Sequence, residues 1–211
     1  MPVNYDKIAT NYDWMSRFIF GRSLIKAQVY LLQFIPSNSN ILIVGGGTGW
    51  ILDELTLLHS KGLSIYYIES SANMIALSKK RNLGGNDVHF IHLPIENYSA
   101  QKDYDVILTP FLFDNFQLDK IQHVFNLLHS KLKKDGLWLY ADFVYNKEQN
   151  SIWQKILLKT MYIFFKVVAR IETQQLVDMS PFFLHHYKKI DEQTYYKKFI
   201  RAIAYKKMDA R

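Results

Sequence analysis

No cysteine occurs among the 211 residues. Disulfides, thiolate nucleophiles and cysteine-ligated zinc are therefore excluded. No His/Asp/Glu cluster has metal-ligand spacing either, so no metal is expected. A long uninterrupted apolar run is also missing. The longest apolar region, Ile152–Val168, is broken by Lys155, Lys159 and Lys166, which argues against a membrane span. The opening Met-Pro-Val-Asn-Tyr-Asp lacks a basic-then-apolar signal pattern, and a cytoplasmic location is the expectation. Repeats, low-complexity tracts and linkers are not evident, so residues 1–211 are expected to form a single domain.

Acidic residues are outnumbered 19 to 26, giving a net charge of +7. A basic excess of that size suits RNA, an anionic membrane surface, an acidic carrier protein or a small anionic substrate. Much of it lies in Lys188–Lys189, Lys197–Lys198 and Lys206–Lys207. Lysines there also suit the solvated edge of a hairpin.

The clearest pattern present is Ile41-Leu-Ile-Val-Gly-Gly-Gly-Thr-Gly49. Four strand formers run into a glycine-rich turn, and a helical pattern follows. Such a strand, turn and helix N-terminus bring bare backbone against a nucleotide-like ligand. The glycines fall at 45, 47 and 49, and Trp50 stands where a dinucleotide fingerprint has its third glycine. That spacing favours S-adenosylmethionine over NAD.

Alternation continues along the chain. Ser23 precedes an apolar-periodic run (Leu24, Ala27, Val29, Leu31, Leu32, Ile35) that predicts a helix stopping before Pro36. Strands are expected at Asn40–Val44, Leu63–Ile68, Val88–His92, Tyr104–Thr109 and Leu137–Phe143. Helices are expected at Thr48–Ser60, from Ser70 or Ser71 to about Leu83, and at Leu118–Leu132, with a turn at Asp135–Gly136. This order predicts an α/β fold, a doubly wound, mostly parallel sheet with helices on both faces. Residues 148–170 read as one long helix whose polar stripe is Glu148, Lys155, Lys159, Lys166 and Arg170. Its apolar arc, from Trp153 through Val167, suits a substrate pocket, a membrane surface, a dimer contact or ordinary burial. Pro181 opens a short helix, and Ile190–Tyr196 and Phe199–Lys206 read as a hairpin turning at Lys197–Lys198.

These features together resemble the class I S-adenosylmethionine-dependent methyltransferases. The small-molecule group similar to the ubiquinone/menaquinone-biosynthesis enzymes fits best. The resemblance is carried by Tyr5-Asp-x-Ile-Ala-x-x-Tyr12-Asp13, the Gly45–Gly49 loop, Glu69-x-Ser71-x-x-Met74, Tyr104-Asp-Val-Ile-Leu-Thr-Pro110 and the C-terminal hairpin. It implies a Rossmann-like seven-stranded sheet, S-adenosylmethionine as cofactor, and methyl transfer to a small, hydrophobic or aromatic acceptor. The alternatives are an RNA-directed methyltransferase and a non-catalytic S-adenosylmethionine-binding protein. The implied cofactor contacts are Gly45, Gly46, Gly47, Thr48, Gly49, Glu69, Ser70, Ser71, Met74, Ile95, Glu96, Thr109 and Pro110.

Within that set, Glu69 ends strand two, where a carboxylate can accept hydrogen bonds from both ribose hydroxyls or favour the next helix N-terminus. Two departures from the family pattern stand out. Ile43 replaces an acid in strand one, and Pro94 lies where an adenine-binding Asp is common. Thr109-Pro-Phe-Leu follows strand four in place of the Asn/Asp-Pro-Pro-aromatic motif of amino-methylating nucleic-acid enzymes. Tyr12 and Asp114 are the candidate catalytic residues. Asp114 can orient or deprotonate a nucleophile, or cap a helix. The aromatic stretch Tyr5, Tyr12, Trp14, Phe18 and Phe20 marks residues 1–22 as a lid, and residues 144–189 as a helical substrate cover. His185 and His186, adjacent on a helix, diverge rather than converge.

Overall fold

The computed structural model describes residues 20–99, 102–144 and 176–208. The N-terminal lid residues 1–19, including Tyr5, Tyr12, Trp14 and Phe18, lie outside the described residues, as does the expected helix 148–170.

Everything described is organised around β1 (Asn40–Val44). It pairs in parallel with β2 (Lys61–Glu69) on one side and β4 (Tyr104–Pro110) on the other. Ile41 to Val44 are each at most 1% exposed. An unbroken apolar run encodes a strand covered on both faces, and each of these side chains contributes roughly 1.5–3 kcal/mol by leaving water. Alternation splits them. Ile41 and Ile43 join the core beneath α1 (Ser23–Leu32) and α2 (Trp50–Leu58), whereas Leu42 and Val44 join the opposite core beneath α4 (Leu118–Lys131).

The full sheet has seven strands in the order β3-β2-β1-β4-β5-β7-β6. β3 (Gly85–His92) lies parallel to β2, and β5 (Leu132–Phe143) parallel to β4. β7 (Ile200–Lys207) runs antiparallel between β5 and β6 (Tyr187–Tyr195). The chain is thus α/β with a mostly parallel seven-stranded sheet and a C-terminal antiparallel hairpin. β6 is an edge strand with most of its side chains in water. On it Glu192 pairs with Lys189 at 2.7 Å and with Arg201 of neighbouring β7 at 2.6 Å.

Several boundaries differ from the sequence expectation, and three of them have a clear local reason. α3 (Ala72–Ser78) ends well before Leu83. Its exit swings Arg81 onto the Thr48 carbonyl at 2.9 Å and Asp53 at 3.2 Å, tying the chain to α2. β5 starts at Leu132, and the Asp135–Gly136 turn is an excursion inside it: Tyr104 pairs with Leu132 and Val106 with Leu137. The third difference is the hairpin, which turns through Tyr196, Lys197 and Lys198, all left-handed at φ 48°, 53° and 65°. The strands therefore end at Tyr195 and resume at Ile200.

Of the expected cover region, the described part is α5 (Ser180–Leu184) and the start of β6. Phe183 of α5 stacks on Tyr205 with centroids 4.2 Å apart and packs edge-on against Phe125 and Trp138. This helix closes the α4 side of the core.

Candidate cofactor cleft

The carboxyl ends of β1, β2 and β4 open onto a cleft of about 740 Å³, lined by Gln28, Gly45–Thr48, Trp50, Glu69, Ser70, Met74, Pro110–Leu112, Asn115 and Phe116. A second opening of about 390 Å³ shares Gly45, Glu69, Ser70, Leu112 and Phe116 with it and continues past Leu93–Glu96 and Lys120. Their shared residues make one groove with Glu69 near its middle.

The glycine loop is shaped by what lies behind it. A Cβ on Gly46 would fall within the ring of Tyr67, whose hydroxyl donates to the Gly47 carbonyl at 2.9 Å. Gly47 has φ +65°, and a Cβ there would meet only the Met74 sulfur at 3.6 Å. Gly46 is therefore required for packing, whereas Gly47 keeps the loop's exposed backbone in a left-handed turn.

Glu69 is 5% exposed. One carboxylate oxygen accepts from Gly47 N–H at 3.1 Å and the other from Ser71 N–H at 2.9 Å. Burial lifts its pKa above the usual carboxylate value, against the opposing pull of the Ser71 and Gly47 amides. The carboxylate thus ties the glycine loop to the start of α3; the oxygen bonded to Ser71 also accepts from the Ser70 hydroxyl at 3.4 Å, and the oxygen bonded to Gly47 retains lone-pair capacity for a further donor.

Gly45, Gly46, Gly47, Thr48, Glu69, Ser70, Met74 and Pro110 line the main cleft, and Ile95 and Glu96 the second opening together with Pro94. Three other sequence candidates are placed behind this groove. Gly49 caps α2 and faces Ser78. Ser71 caps α3, its hydroxyl accepting from Met74 N–H at 3.2 Å. Thr109 is fully buried, its hydroxyl accepting from the Trp138 indole at 2.9 Å. Ile43, at the strand-one position that departs from the family pattern, is core.

The β4 exit forms the second wall. Phe111 has φ +52°, a strained conformation for an aromatic residue. Its N–H donates to the Ala141 carbonyl at 2.7 Å, and its ring sits 5.0 Å from Phe143. Phe143 in turn contacts Phe20 at 5.1 Å. Phe113 turns inward toward Trp138 and Tyr140.

Asp114 does not line the cleft; its carboxylate accepts from the Asn115 amide at 2.7 Å. Beside it, Asp142 is 2% exposed and accepts from Phe113 N–H at 3.1 Å and Phe143 N–H at 2.8 Å. Burial and the neighbouring Asp142 charge raise the Asp114 pKa. Burial raises that of Asp142 as well, against three backbone amides that favour its charge. Both carboxyls are thus pushed toward the protonated form, by burial first, beneath the loop that forms the cleft wall.

Gln28 and Trp50 were not sequence candidates for the site. Gln28 carried a usable signal: it interrupts the stripe Leu24, Ala27, Leu31, Leu32, Ile35 with an amide. It is 8% exposed. His185 and His186 are both exposed and away from the groove, with His186 4.9 Å from His129. No described helix is long and apolar enough to cross a membrane.

Residues 42–138 match the family described as "Methyltransferase domain". Over 140 residues the chain is 36% identical to malonyl-[acyl-carrier protein] O-methyltransferase 2 of Ilyobacter polytropus, which is 66% of this chain and 52% of that protein. The matched region thus spans about half the length of that relative. Among solved structures, the fold is similar to the N-methyltransferase NodS of Bradyrhizobium japonicum WM9 in complex with S-adenosyl-l-homocysteine. The TM-score is 0.68 at 10% identity, covering 96% of this chain and 95% of that one. It is also similar to a chain in the complex between the Haloferax volcanii Trm112 methyltransferase activator and a methyltransferase, with TM-score 0.70, 12% identity and coverage of 99% and 100%.

Proposed function

We propose that this chain is a class I S-adenosylmethionine-dependent methyltransferase and that it transfers the methyl group of S-adenosylmethionine to a small hydrophobic or aromatic acceptor. The observation that carries this reading is the groove itself: a buried carboxylate at its middle, bare glycine backbone beside it, and an apolar wall from β4. In this arrangement Glu69 accepts from the ribose hydroxyls, with charge-assisted bonds on lone pairs the loop amides leave open. Leu93, Ile95 and Phe116 would hold the adenine, and Gly45–Gly47 the sulfur-bearing portion. Glu96, held by Lys120, and the nearby backbone carbonyls are the acceptors for the adenine amino group.

When bound, the sulfonium supplies an activated methyl group and a neutral leaving group. The chain then needs chiefly to hold the acceptor in line, and positioning alone lowers such barriers substantially. Phe111, Leu112 and Phe116 present apolar surface to the acceptor. Glu69 is the single charged side chain of the main cleft's described lining. Such a wall selects a hydrophobic or aromatic acceptor over a polyanion.

A second acceptor class has one specific observation behind it. The relative from Ilyobacter polytropus is named for a malonyl group on acyl carrier protein, and a net charge of +7 suits approach of an acidic carrier. The test is mass-spectrometric detection of S-adenosylhomocysteine formation across phenolic, quinone, carrier-linked acyl and RNA acceptors. Turnover on a free apolar acceptor is expected. Turnover on RNA alone overturns the acceptor assignment, and turnover on the carrier-linked acyl group alone moves it to the second class. Binding without turnover on every acceptor favours a non-catalytic role.

A further inference from the structure

The wall that β4 gives the cleft turns through a residue badly suited to its backbone. Phe111 is left-handed at φ +52°, a region that bulky aromatic residues rarely adopt and that persists only where the surroundings impose it. Its N–H is fixed by the Ala141 carbonyl at 2.7 Å, and Phe113 N–H by the buried Asp142 carboxylate at 3.1 Å. Between these two anchors, the Phe111 and Leu112 carbonyls are both met by one side chain. Asn115 Nδ2 donates to the Phe111 carbonyl at 3.0 Å, to the Leu112 carbonyl at 3.3 Å and to the Asp114 carboxylate at 2.7 Å. Three acceptors around that atom settle which end of the amide is the nitrogen. Asn115 lines the cleft together with Phe111, Leu112 and Phe116, whereas Phe113 and Asp114 do not.

Resting on the reading of this wall as the acceptor's, we propose that Asn115 is a positioning residue for a flat aromatic acceptor, its amide holding the Phe111–Leu112 turn in the left-handed form that keeps the Phe111 ring on the cleft. A right-handed or extended Phe111 would send its carbonyl and ring in other directions. The ring would then leave Phe143, which it meets at 5.0 Å and which is itself backed by Phe20 and Phe199 at 5.1 and 5.4 Å. An aromatic face fixed in that row gives a planar acceptor a stacking partner. A wall ordered before the acceptor arrives also spares the cost of ordering it on binding. Glu69 and the glycine loop are carried by β2 and by the turn after β1, so the Asn115 clamp bears on the acceptor more than on the cofactor.

The test compares the wild-type chain with Asn115→Ala and Asn115→Asp, with thermal melts reporting folding. The aspartate variant keeps the side-chain shape while losing the amide donors, and it serves if the alanine variant does not fold. Each protein is crystallised with S-adenosylhomocysteine, and 1-naphthol, a flat apolar phenol, is titrated calorimetrically into the S-adenosylhomocysteine-saturated protein. In the variants Phe111 is expected to leave φ +52° and its ring to move off Phe143. Each hydrogen bond between neutral groups is worth a factor of about two to ten, and apparent affinity falls with the fraction of the competent form. Binding of 1-naphthol is therefore expected to weaken roughly fivefold or more, and that of S-adenosylhomocysteine by a smaller factor. A Phe111 that keeps its left-handed φ and its place against Phe143 in the variants overturns the role of Asn115. Unchanged 1-naphthol binding, or equal weakening of both ligands, overturns it too. Failure of the saturated wild type to bind 1-naphthol overturns the aromatic-acceptor reading beneath it, and failure to bind S-adenosylhomocysteine overturns the cofactor site.

Discussion

Replacing Glu69 by glutamine tests the middle of the groove with the least change in shape. The carboxylate accepts from Gly47 N–H on one oxygen and from Ser71 N–H on the other. A glutamine side chain can keep one of these; its NH₂ must then face the other N–H, donor against donor. Leaving a buried amide unpaired costs about 1–3 kcal/mol, so Glu69→Gln is expected to unfold at a lower temperature yet remain folded at 25 °C. The ligand loses more. Bonds from ribose hydroxyls to a charged acceptor are worth about 1.5–3 kcal/mol each, and losing one raises Kd roughly tenfold to a hundredfold. Calorimetric titration should show that loss equally for S-adenosylhomocysteine and adenosine, because both carry the ribose. An unchanged Kd for both ligands in folded Glu69→Gln refutes the ribose assignment.

Three other outcomes follow from the same geometry. Gly46→Ala should destabilise the fold by about 1–3 kcal/mol, because its methyl group enters the Tyr67 ring, whereas Gly47→Ala costs about 1 kcal/mol of backbone strain; comparing their melting temperatures checks the order, and Gly47→Val, which fills the cleft, should abolish cofactor binding in a folded protein. Phe111→Gly should relieve the left-handed strain at φ +52° while deleting the ring from the cleft wall, so kcat/KM for an apolar acceptor falls with little change in S-adenosylhomocysteine affinity. In the Asp114–Asp142 pair both folded-state pKa values are raised, that of Asp142 up to about 7, so the folded chain keeps a proton that the unfolded chain, with Asp near 3.9, has released. Stability from this pair is therefore present at acid pH and lost as pH rises through about 7; Asp114→Asn should flatten that decline in melts taken across this range, and an unaltered slope contradicts the mutual raising of the two pKa values.

How far the sequence revealed the site depended on the kind of signal each residue carries. Ile41–Gly49 declares itself, because four buried apolar residues followed by glycines have few structural readings. Glu69 follows from its place at the end of β2. Gly49, Ser71 and Thr109 belong to the same motifs, but each points behind the groove, and a motif does not record which way a side chain faces. Gln28 was obscured by the amphipathic helix around it, where one polar residue on the apolar stripe is easily absorbed into the pattern. The early end of α3 depends on Arg81 reaching Thr48 and Asp53, contacts distant in sequence. The register excursion at Asp135–Gly136 likewise comes from strand pairing rather than turn chemistry alone.

The most direct measurement of the central claim is a crystal structure of the chain with S-adenosylhomocysteine. The account predicts one ligand along the groove, with adenine over Ile95, ribose hydroxyls on Glu69 and the sulfur beside Gly45–Gly47. A ligand that lies elsewhere, runs in the reverse direction, or leaves Glu69 bonded only to the Gly47 and Ser71 amides would contradict it.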